Sequence, residues 1–92
     1  MRLWMICYDI ADDRRRRRVE RLLAGHGERV QWSLFECLLG AGDLERLAAR
    51  IAREIEPRED NLRYYPICAW CEERLSWYGQ GRRQDDADLW LI

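Results

Sequence analysis

The clearest hydrophobic feature of the chain is an apolar run over residues 3–8 that stops abruptly at Asp9. Its β-branched and aromatic content predicts a β-strand. Both sets of alternating positions are apolar, with Leu3, Met5 and Cys7 on one side and Trp4, Ile6 and Tyr8 on the other. We therefore expect both faces of this strand to be covered.

Two helices follow from apolar positions that recur with helical spacing. Asp12 and Asp13 offer N-cap carboxylates to the first helix, which is expected to end near Gly25 or Gly27. The second helix has the stronger pattern, and we expect Asp43 to cap it and Pro57 to end it. Its apolar stripe comprises Leu44, Leu47, Ala48, Ile51, Ala52 and Ile55.

The remaining apolar segments predict further strands. Residues 30–39 are expected to form one strand at a sheet edge, because polar side chains interrupt its apolar pattern. Residues 62–70 predict a third strand, in which Pro66 cannot donate a ladder hydrogen bond. Residues 75–79 predict a short fourth strand, and segment 85–92, with its apolar end, is expected to add a strand to a sheet edge.

This order of elements predicts an α+β, ferredoxin-like sandwich of the βαββαβ type, a single domain over residues 1–92 with an extra short C-terminal strand. Both helices are expected on one sheet face. The other face is then bare, although the first strand needs cover on both sides. A second copy related by a two-fold axis would cover it, so we expect a homodimer.

Composition narrows the class of protein. With 48% hydrophobic and 36% charged residues among 92, the chain is expected to be a soluble globular domain rather than a disordered or fibrous one. No apolar run is long enough to span a bilayer and no signal peptide is recognisable, so we expect no membrane association and a cytoplasmic location.

The charge is balanced overall but not along the chain. The formal net charge is −1, which excludes a basic field over the whole molecule. All sixteen basic residues are arginines, and residues 1–30 hold eight of them against five acidic residues. A polyanion would therefore bind at a local arginine surface, although genome composition could produce the same preference for arginine.

The cysteine and histidine residues are weak candidates for catalysis or metal binding. Cys7 and Cys37 lie in apolar runs and are expected to be reduced core residues. Cys68 and Cys71 form one CxxC pair, but a single pair is a weak zinc signal and the structural interpretation is favoured. His26 is expected to be solvated at a helix end.

Asp9 is the leading candidate for chemistry, because a carboxylate at the end of an apolar strand must be solvated, paired or bound to a metal. The alternative is that Asp9 only caps the loop before the first helix. If the bare sheet face is the dimer interface, Asp9 shares that face with Cys7, and two Asp9 carboxylates meet across the axis. A shared Mg²⁺ would relieve their repulsion and could activate water for attack on a phosphodiester.

Arg14 to Arg18 form an unbroken run of five that Arg21 continues. Such a run is usually a solvated helix face. Its position in the first turns of a helix opposes the macrodipole, however, which favours phosphate binding over a purely stabilising purpose. Binding of this kind would be independent of sequence and sensitive to salt.

Several short motifs, taken in order, resemble one known family. They are Tyr8-Asp9-Ile10 followed by Asp12-Asp13 and arginines, then Arg29-Val30-Gln31, Ser33-Leu34-Phe35-Glu36 and Tyr65-Pro66-Ile67-Cys68. Together with the expected short terminal strand they span essentially the whole chain and resemble the CRISPR-associated Cas2 family. The resemblance implies a ferredoxin-like fold and a homodimer, in agreement with the pattern of elements.

The resemblance also implies a role in CRISPR adaptation, in which the dimer bridges the Cas1 integrase and holds DNA during spacer acquisition. It further implies magnesium-dependent endonuclease activity on single-stranded RNA or duplex DNA. Asp9 matches the family's metal-binding aspartate, and Asp9 and Tyr8 are the expected catalytic residues. The expected nucleic-acid-binding residues are Arg14, Arg16, Arg18, Arg29 and Phe35. A toxin-like messenger-RNA endoribonuclease on the same fold is the alternative.

Overall fold

The computed structural model describes residues 1–75, which form one antiparallel sheet with helices packed on it. The strands are β1 (Arg2–Asp9), β2 (Gly27–Gln31), β3 (Leu34–Leu39) and β4 (Asn61–Ile67). The helices are α1 (Asp13–Ala24), α2 (Ala41–Glu54) and the short α3 (Ala69–Glu72). The sheet order is β2-β3-β1-β4, which with two helices between the strands is the predicted ferredoxin-like arrangement.

The core lies between the helices and one face of the sheet. Ile6 and Tyr8 of β1 pack with Val19 and Leu23 of α1 and with Leu47 of α2, and all five side chains are buried. Because both helices contact the same alternating set of strand residues, they share one sheet face. This confirms the expectation that the helices form a single layer.

The opposite sheet face carries the other half of each strand. Leu3, Met5 and Cys7 of β1 lie beside Leu38, Glu36 and Leu34 of β3 in the antiparallel register, and beside Ile67, Tyr65 and Arg63 of β4. Leu3 is buried, whereas Met5 and Cys7 are only half-buried. This face is therefore largely apolar and lies away from the helices.

The predicted single strand over residues 30–39 is wrong. The chain forms a hairpin, with Trp32 and Ser33 in the turn between β2 and β3. The pairing also shifts register between Arg29 and Gln31. No residue pattern marks this turn, because it contains none of the glycine, asparagine or aspartate residues that usually form one. The expected position at a sheet edge is correct for β2, whereas β3 lies inside the sheet.

Two boundaries also differ from prediction. Helix α2 begins at Ala41 with Gly40 at the N-cap, so Asp43 lies in the first turn instead of capping the helix. The third predicted strand ends at Ile67 rather than continuing to residue 70, because Cys68 caps α3. Pro66 pairs with Trp4 from β4, an outer strand of the described sheet, where its missing N–H is tolerated.

Asp12 caps α1 as predicted, since its Oδ2 accepts from the backbone N–H of Arg15 at 2.9 Å. The predicted strands over residues 75–79 and 85–92 lie essentially outside the described residues, and Leu75 alone is described, in no regular element. Among residues 1–75, no helix has both the length and the apolar character needed to cross a bilayer.

Candidate metal and nucleic-acid site

Asp9 is the last residue of β1 and is exposed at one end of the sheet. It lies opposite Asn61 of β4 and, by strand alternation, on the same face as Cys7, away from the helices. Its carboxylate makes no hydrogen bond or ion pair with any of residues 1–75, so it does not cap the loop that follows. A solvated carboxylate of this kind is free to bind a cation.

Tyr8 points to the opposite face, into the core. Only 4% of its surface is exposed, and its hydroxyl donates to Glu20 Oε2 at 2.6 Å. Burial, followed by the Glu20 hydrogen bond and charge, raises the pKa of Tyr8 to about 12, against a weaker opposing effect of Arg29. Tyr8 therefore keeps its proton at neutral pH, and its side chain does not lie beside the Asp9 carboxylate.

Arg29 joins Tyr8 in a small polar cluster on the helix side. Its Nη2 lies 2.7 Å from Glu20 Oε2 and 3.4 Å from the Tyr8 hydroxyl. Its guanidinium also lies over the Phe35 ring, 5.7 Å from the centroid. Phe35 is 3% exposed, so it supports Arg29 from the core and offers no surface to a nucleic acid. Glu20 contacts both Tyr8 and Arg29 and so holds this cluster together, although no sequence pattern predicted it as a site residue.

The arginine run divides between structural and free side chains. Arg16 Nη2 lies 2.6 Å from Asp13 Oδ1, and Arg18 Nε lies 2.9 Å from Glu54 Oε1, where it joins α1 to α2. Arg14 and Arg17 are exposed and have no ion pair within the described part of the chain. Of the five, these two are the most available to a phosphate.

Arg15 has a purely structural role that the sequence did not reveal. Its Nε lies 2.8 Å from Oδ2 of Asp60, whose side chain is wholly buried, and its Nη2 lies 3.0 Å from exposed Glu59. The Asp60 carboxylate also accepts from the backbone N–H of Glu56 at 2.9 Å. Arg15 thus ties α1 to the loop before β4. No spacing rule connects residues 45 positions apart, so only the fold shows this pair.

A shallow basic groove of about 350 Å³ runs between α1 and α2. Its polar lining consists of Arg18, Arg21, Arg50 and Arg53, with Glu54 as the one carboxylate. Arg21, Arg50 and Arg53 make no ion pair with any of residues 1–75. The groove therefore carries an excess of positive charge that suits the phosphates of a polyanion.

Residues 1–75 supply few metal ligands. Residues 1–75 contain no group of three or more histidine, cysteine, aspartate or glutamate side chains that could hold an ion. A single carboxylate such as that of Asp9 is compatible with Mg²⁺, which keeps several waters and takes only one or two protein carboxylates besides phosphate oxygens. Any further ligand for a magnesium ion at Asp9 would therefore come from outside residues 1–75, for example from a second copy or a substrate.

Comparison with known proteins points to one family. The family model for "CRISPR associated protein Cas2" matches residues 1–75. A Synechocystis protein named "CRISPR-associated endoribonuclease Cas2 2" is 44% identical over 93 residues and covers 100% of both chains. The crystal structure of the hypothetical protein TT1823 from Thermus thermophilus has a TM-score of 0.79 at 40% identity, with 90% of this chain and 96% of that chain covered. A chain of a "Partial Cas6-RT-Cas1--Cas2 complex" has a TM-score of 0.70 at 29% identity, with 97% and 100% covered.

Proposed function

Because the chain belongs to the CRISPR-associated protein Cas2 family, we propose that it acts in the cytoplasm in CRISPR adaptation, as a homodimer that bridges Cas1 integrase subunits and holds DNA during spacer acquisition. The observation that carries the proposal is its similarity, over nearly the whole of both chains, to a chain from a complex that contains Cas1 and Cas2. The relatives' names add a second candidate activity, ribonucleolytic cleavage.

The face opposite the helices supports the homodimer. Leu3, Met5, Cys7, Leu38 and Ile67 share it, and an apolar face of this kind gains free energy when a second copy covers it. A two-fold axis through this face would bring the two sheets together and each Asp9 to the same side of the interface. The expected species in solution is therefore a dimer.

The free arginines support DNA binding. Arg14 and Arg17 on α1 and the groove lined by Arg21, Arg50 and Arg53 present guanidinium groups without carboxylate partners in the described structure. Guanidinium groups bind phosphate oxygens in a bidentate manner. Contacts of this kind fix the position of a nucleic acid without reading its bases.

The second candidate function is magnesium-dependent phosphodiester cleavage at Asp9. Asp9, which is exposed and has no ion pair among residues 1–75, would hold the ion, shared between the two copies of the dimer. When bound, Mg²⁺ lowers the pKa of a coordinated water and neutralises charge on a phosphate. Tyr8 would help to hold the surrounding structure in place and would not transfer a proton, because its hydroxyl is buried and bonded to Glu20.

The two functions separate under Asp9→Ala. If adaptation is structural, purified protein with Asp9→Ala still supports spacer acquisition with Cas1, while magnesium-dependent cleavage of single-stranded RNA or duplex DNA disappears. Cleavage that survives Asp9→Ala would not depend on Asp9 and would contradict its role as the metal ligand of the reaction. Loss of acquisition in this variant would contradict a purely structural role.

A matched charge variant tests the DNA-binding part. Arg14→Ala with Arg17→Ala removes two guanidinium groups that stabilise nothing else in the described residues, so the fold should be unchanged. We expect weaker DNA binding and a shallower salt dependence. Arg16→Ala is the control, because its partners are Asp13 and backbone carbonyls.

Growth arrest and messenger-RNA cleavage without Cas1 would instead favour the toxin-like alternative.

A further inference from the structure

The turn between β2 and β3 exposes a tryptophan. Trp32 is 86% exposed, although single exposed apolar residues are ordinary on protein surfaces. Its place is unusual, because two-residue hairpin turns favour glycine, asparagine and aspartate, and an indole gives no help to the turn. The exposed ring therefore contributes neither to the core nor to the backbone of the hairpin.

The backbone under Trp32 is held in place. The amide of Tyr8 donates to the carbonyl of Ser33 at 3.1 Å, and the Tyr8 hydroxyl lies 3.4 Å from the carbonyl oxygen of Trp32. Tyr8 is in turn fixed by its 2.6 Å bond to Glu20. The backbone of the turn is thus attached to the core, while the Trp32 ring is exposed to solvent. A ligand that binds the ring therefore does not pay the entropic cost of ordering the turn.

Trp32 also lies at the sheet end that carries Asp9. The β1–β3 register runs to Cys7 opposite Leu34, and the Tyr8–Ser33 bond continues it by one residue. Neighbouring strands are about 4.8 Å apart, so the backbones of Trp32 and Asp9 approach each other at this end. The ring is therefore within reach of a strand whose phosphate lies at Asp9.

The surroundings of the ring favour a nucleobase over a protein surface. Gln31 and Asp9 at this end of the sheet and Asn61 opposite Asp9 are all exposed and polar, so Trp32 is an isolated aromatic group here rather than part of an apolar patch formed by residues 1–75. Arg14 follows Asp9 by a short loop and is free to contact phosphate. Exposed aromatic rings that stack on bases, combined with cationic groups that contact the backbone, are the features with which proteins bind single-stranded nucleic acid.

Trp70 provides a contrast within the same chain. It is 64% exposed, but the guanidinium of Arg74 lies 3.8 Å from its ring centroid and donates to its carbonyl oxygen at 2.8 Å. One face of that ring is already occupied. No cation lies over Trp32 among residues 1–75.

We propose that Trp32 stacks on a base of single-stranded nucleic acid and so positions the strand beside Asp9. The proposal rests on the proposed nucleic-acid binding, and deepens it by naming an unpaired strand as the ligand at this end of the sheet. A stacked ring recognises any base face, so binding here would show little preference for sequence.

The test compares Trp32→Ala with the matched variant Trp32→Phe. The probes are a fluorescein-labelled oligouridine of twelve nucleotides and a DNA duplex, titrated by fluorescence anisotropy over a range of salt. Trp32→Ala should weaken oligouridine binding about 10-fold, whereas Trp32→Phe keeps most of the affinity. The salt dependence should be unchanged, since no phosphate contact is lost. Duplex affinity should also be unchanged, because paired bases are not available to stack.

An abasic probe provides a second measurement that does not depend on folding of a variant. A run of abasic sites in the oligonucleotide should weaken binding to the unchanged protein, and should reduce the difference between that protein and Trp32→Ala. Equal oligouridine affinities for the unchanged protein and Trp32→Ala would overturn the proposal. So would a switch from dimer to monomer in Trp32→Ala by sedimentation, because the ring would then belong to a protein interface. Absence of salt-sensitive binding to either probe would overturn the proposed nucleic-acid binding itself, and the stacking role with it.

Discussion

The Nε atom of Arg15 on α1 lies 2.8 Å from Oδ2 of Asp60, a carboxylate with no exposed surface in the loop before β4. This pair joins the first half of the chain to the last described strand. Asp60 is the one buried charged or polar residue of the described structure. Its bonds to the Arg15 side chain and the Glu56 backbone account for a charge that would otherwise be costly to bury.

Asp60→Asn should therefore destabilise the protein. The substitution removes the charge that Arg15 pairs with and puts an amide donor into the site, so we expect the free energy of unfolding to fall by about 2 kcal/mol. Denaturant unfolding followed by tryptophan fluorescence measures the loss. Glu59→Gln is the matched control, because that carboxylate also contacts Arg15 but is exposed, and it should change stability little.

The same pair predicts a dependence of stability on pH. The hydrogen bonds from Arg15, opposed in part by burial, hold the pKa of Asp60 below its ordinary value of 3.8. A carboxyl with a lowered pKa stabilises the folded state above the unfolded pKa and loses that contribution as pH falls through the folded value. The stability difference between the unchanged protein and Asp60→Asn should thus be full at neutral pH and shrink below about pH 4. A difference that stays constant to pH 2 would contradict this assignment.

The fold was predictable where the hydrophobic periodicity was strong and where the turns contain the residues that usually form turns. The apolar run ending at Asp9 predicts β1, and the candidate N-cap Asp12 and the helical spacing of the apolar residues after it predict α1. The β2–β3 hairpin was missed because Trp32 and Ser33 are not turn-forming residues, so the segment looked like one strand. Local patterns cannot show a turn that is held by contacts from β1.

The candidate site was predictable only in part. Strand alternation correctly separates Tyr8 from Asp9 onto opposite sheet faces, and it places Asp9 with Cys7. The division of the arginine run into paired and free members depends on Asp60 and Glu54, which come from distant parts of the chain. Composition shows how many arginines there are, but only tertiary packing decides which of them keep their charge available.

Tyr8 should titrate well above the ordinary pKa of a tyrosine. Its pKa is raised to about 12, first by burial and then by Glu20, so the neutral hydroxyl is the form that stabilises the fold. This stabilisation is complete below the unfolded pKa of about 10 and is lost as pH rises through the folded value. The difference in absorbance at about 295 nm between the unchanged protein and Tyr8→Phe should therefore show no tyrosinate near pH 10. A step of one tyrosine at that pH would contradict the prediction.

Gly27 is required by the close approach of β2 to β3. A Cβ atom at this position would lie 2.6 Å from Cys37 Sγ and 2.8 Å from Cys37 Cα, and closer still to the Glu36 carbonyl oxygen. Gly27→Ala should separate these strands and lower the free energy of unfolding by about 2–3 kcal/mol. Gly25→Ala is the matched control, since a Cβ there meets nothing nearer than 3.5 Å. Equal unfolding midpoints for the two variants would show that β2 can move without cost.

Cys68 should react with iodoacetamide before Cys71 and Cys37. The backbone N–H of Cys71 lies 3.4 Å from Cys68 Sγ, and this hydrogen bond, followed by that of the Cys71 side chain, lowers the pKa of Cys68. The Cys68 thiol in turn raises the pKa of Cys71, and burial raises the pKa of Cys37 to about 11. Because the thiolate is the nucleophile, exposed Cys68 should be labelled first at neutral pH, and Cys37 only after unfolding.

Peptide mass spectrometry over a time course measures this order of labelling. Cys71→Ser separates the two influences on Cys68, because it removes the neighbouring thiol but keeps the backbone N–H that has the larger effect. Cys68 should therefore still react before Cys37 in Cys71→Ser, with a reaction rate that levels off at a lower pH than for an ordinary thiol. Labelling of Cys71 ahead of Cys68 in the unchanged protein would show that the thiolate forms on the other sulfur, and that Cys68 does not cap α3 in solution.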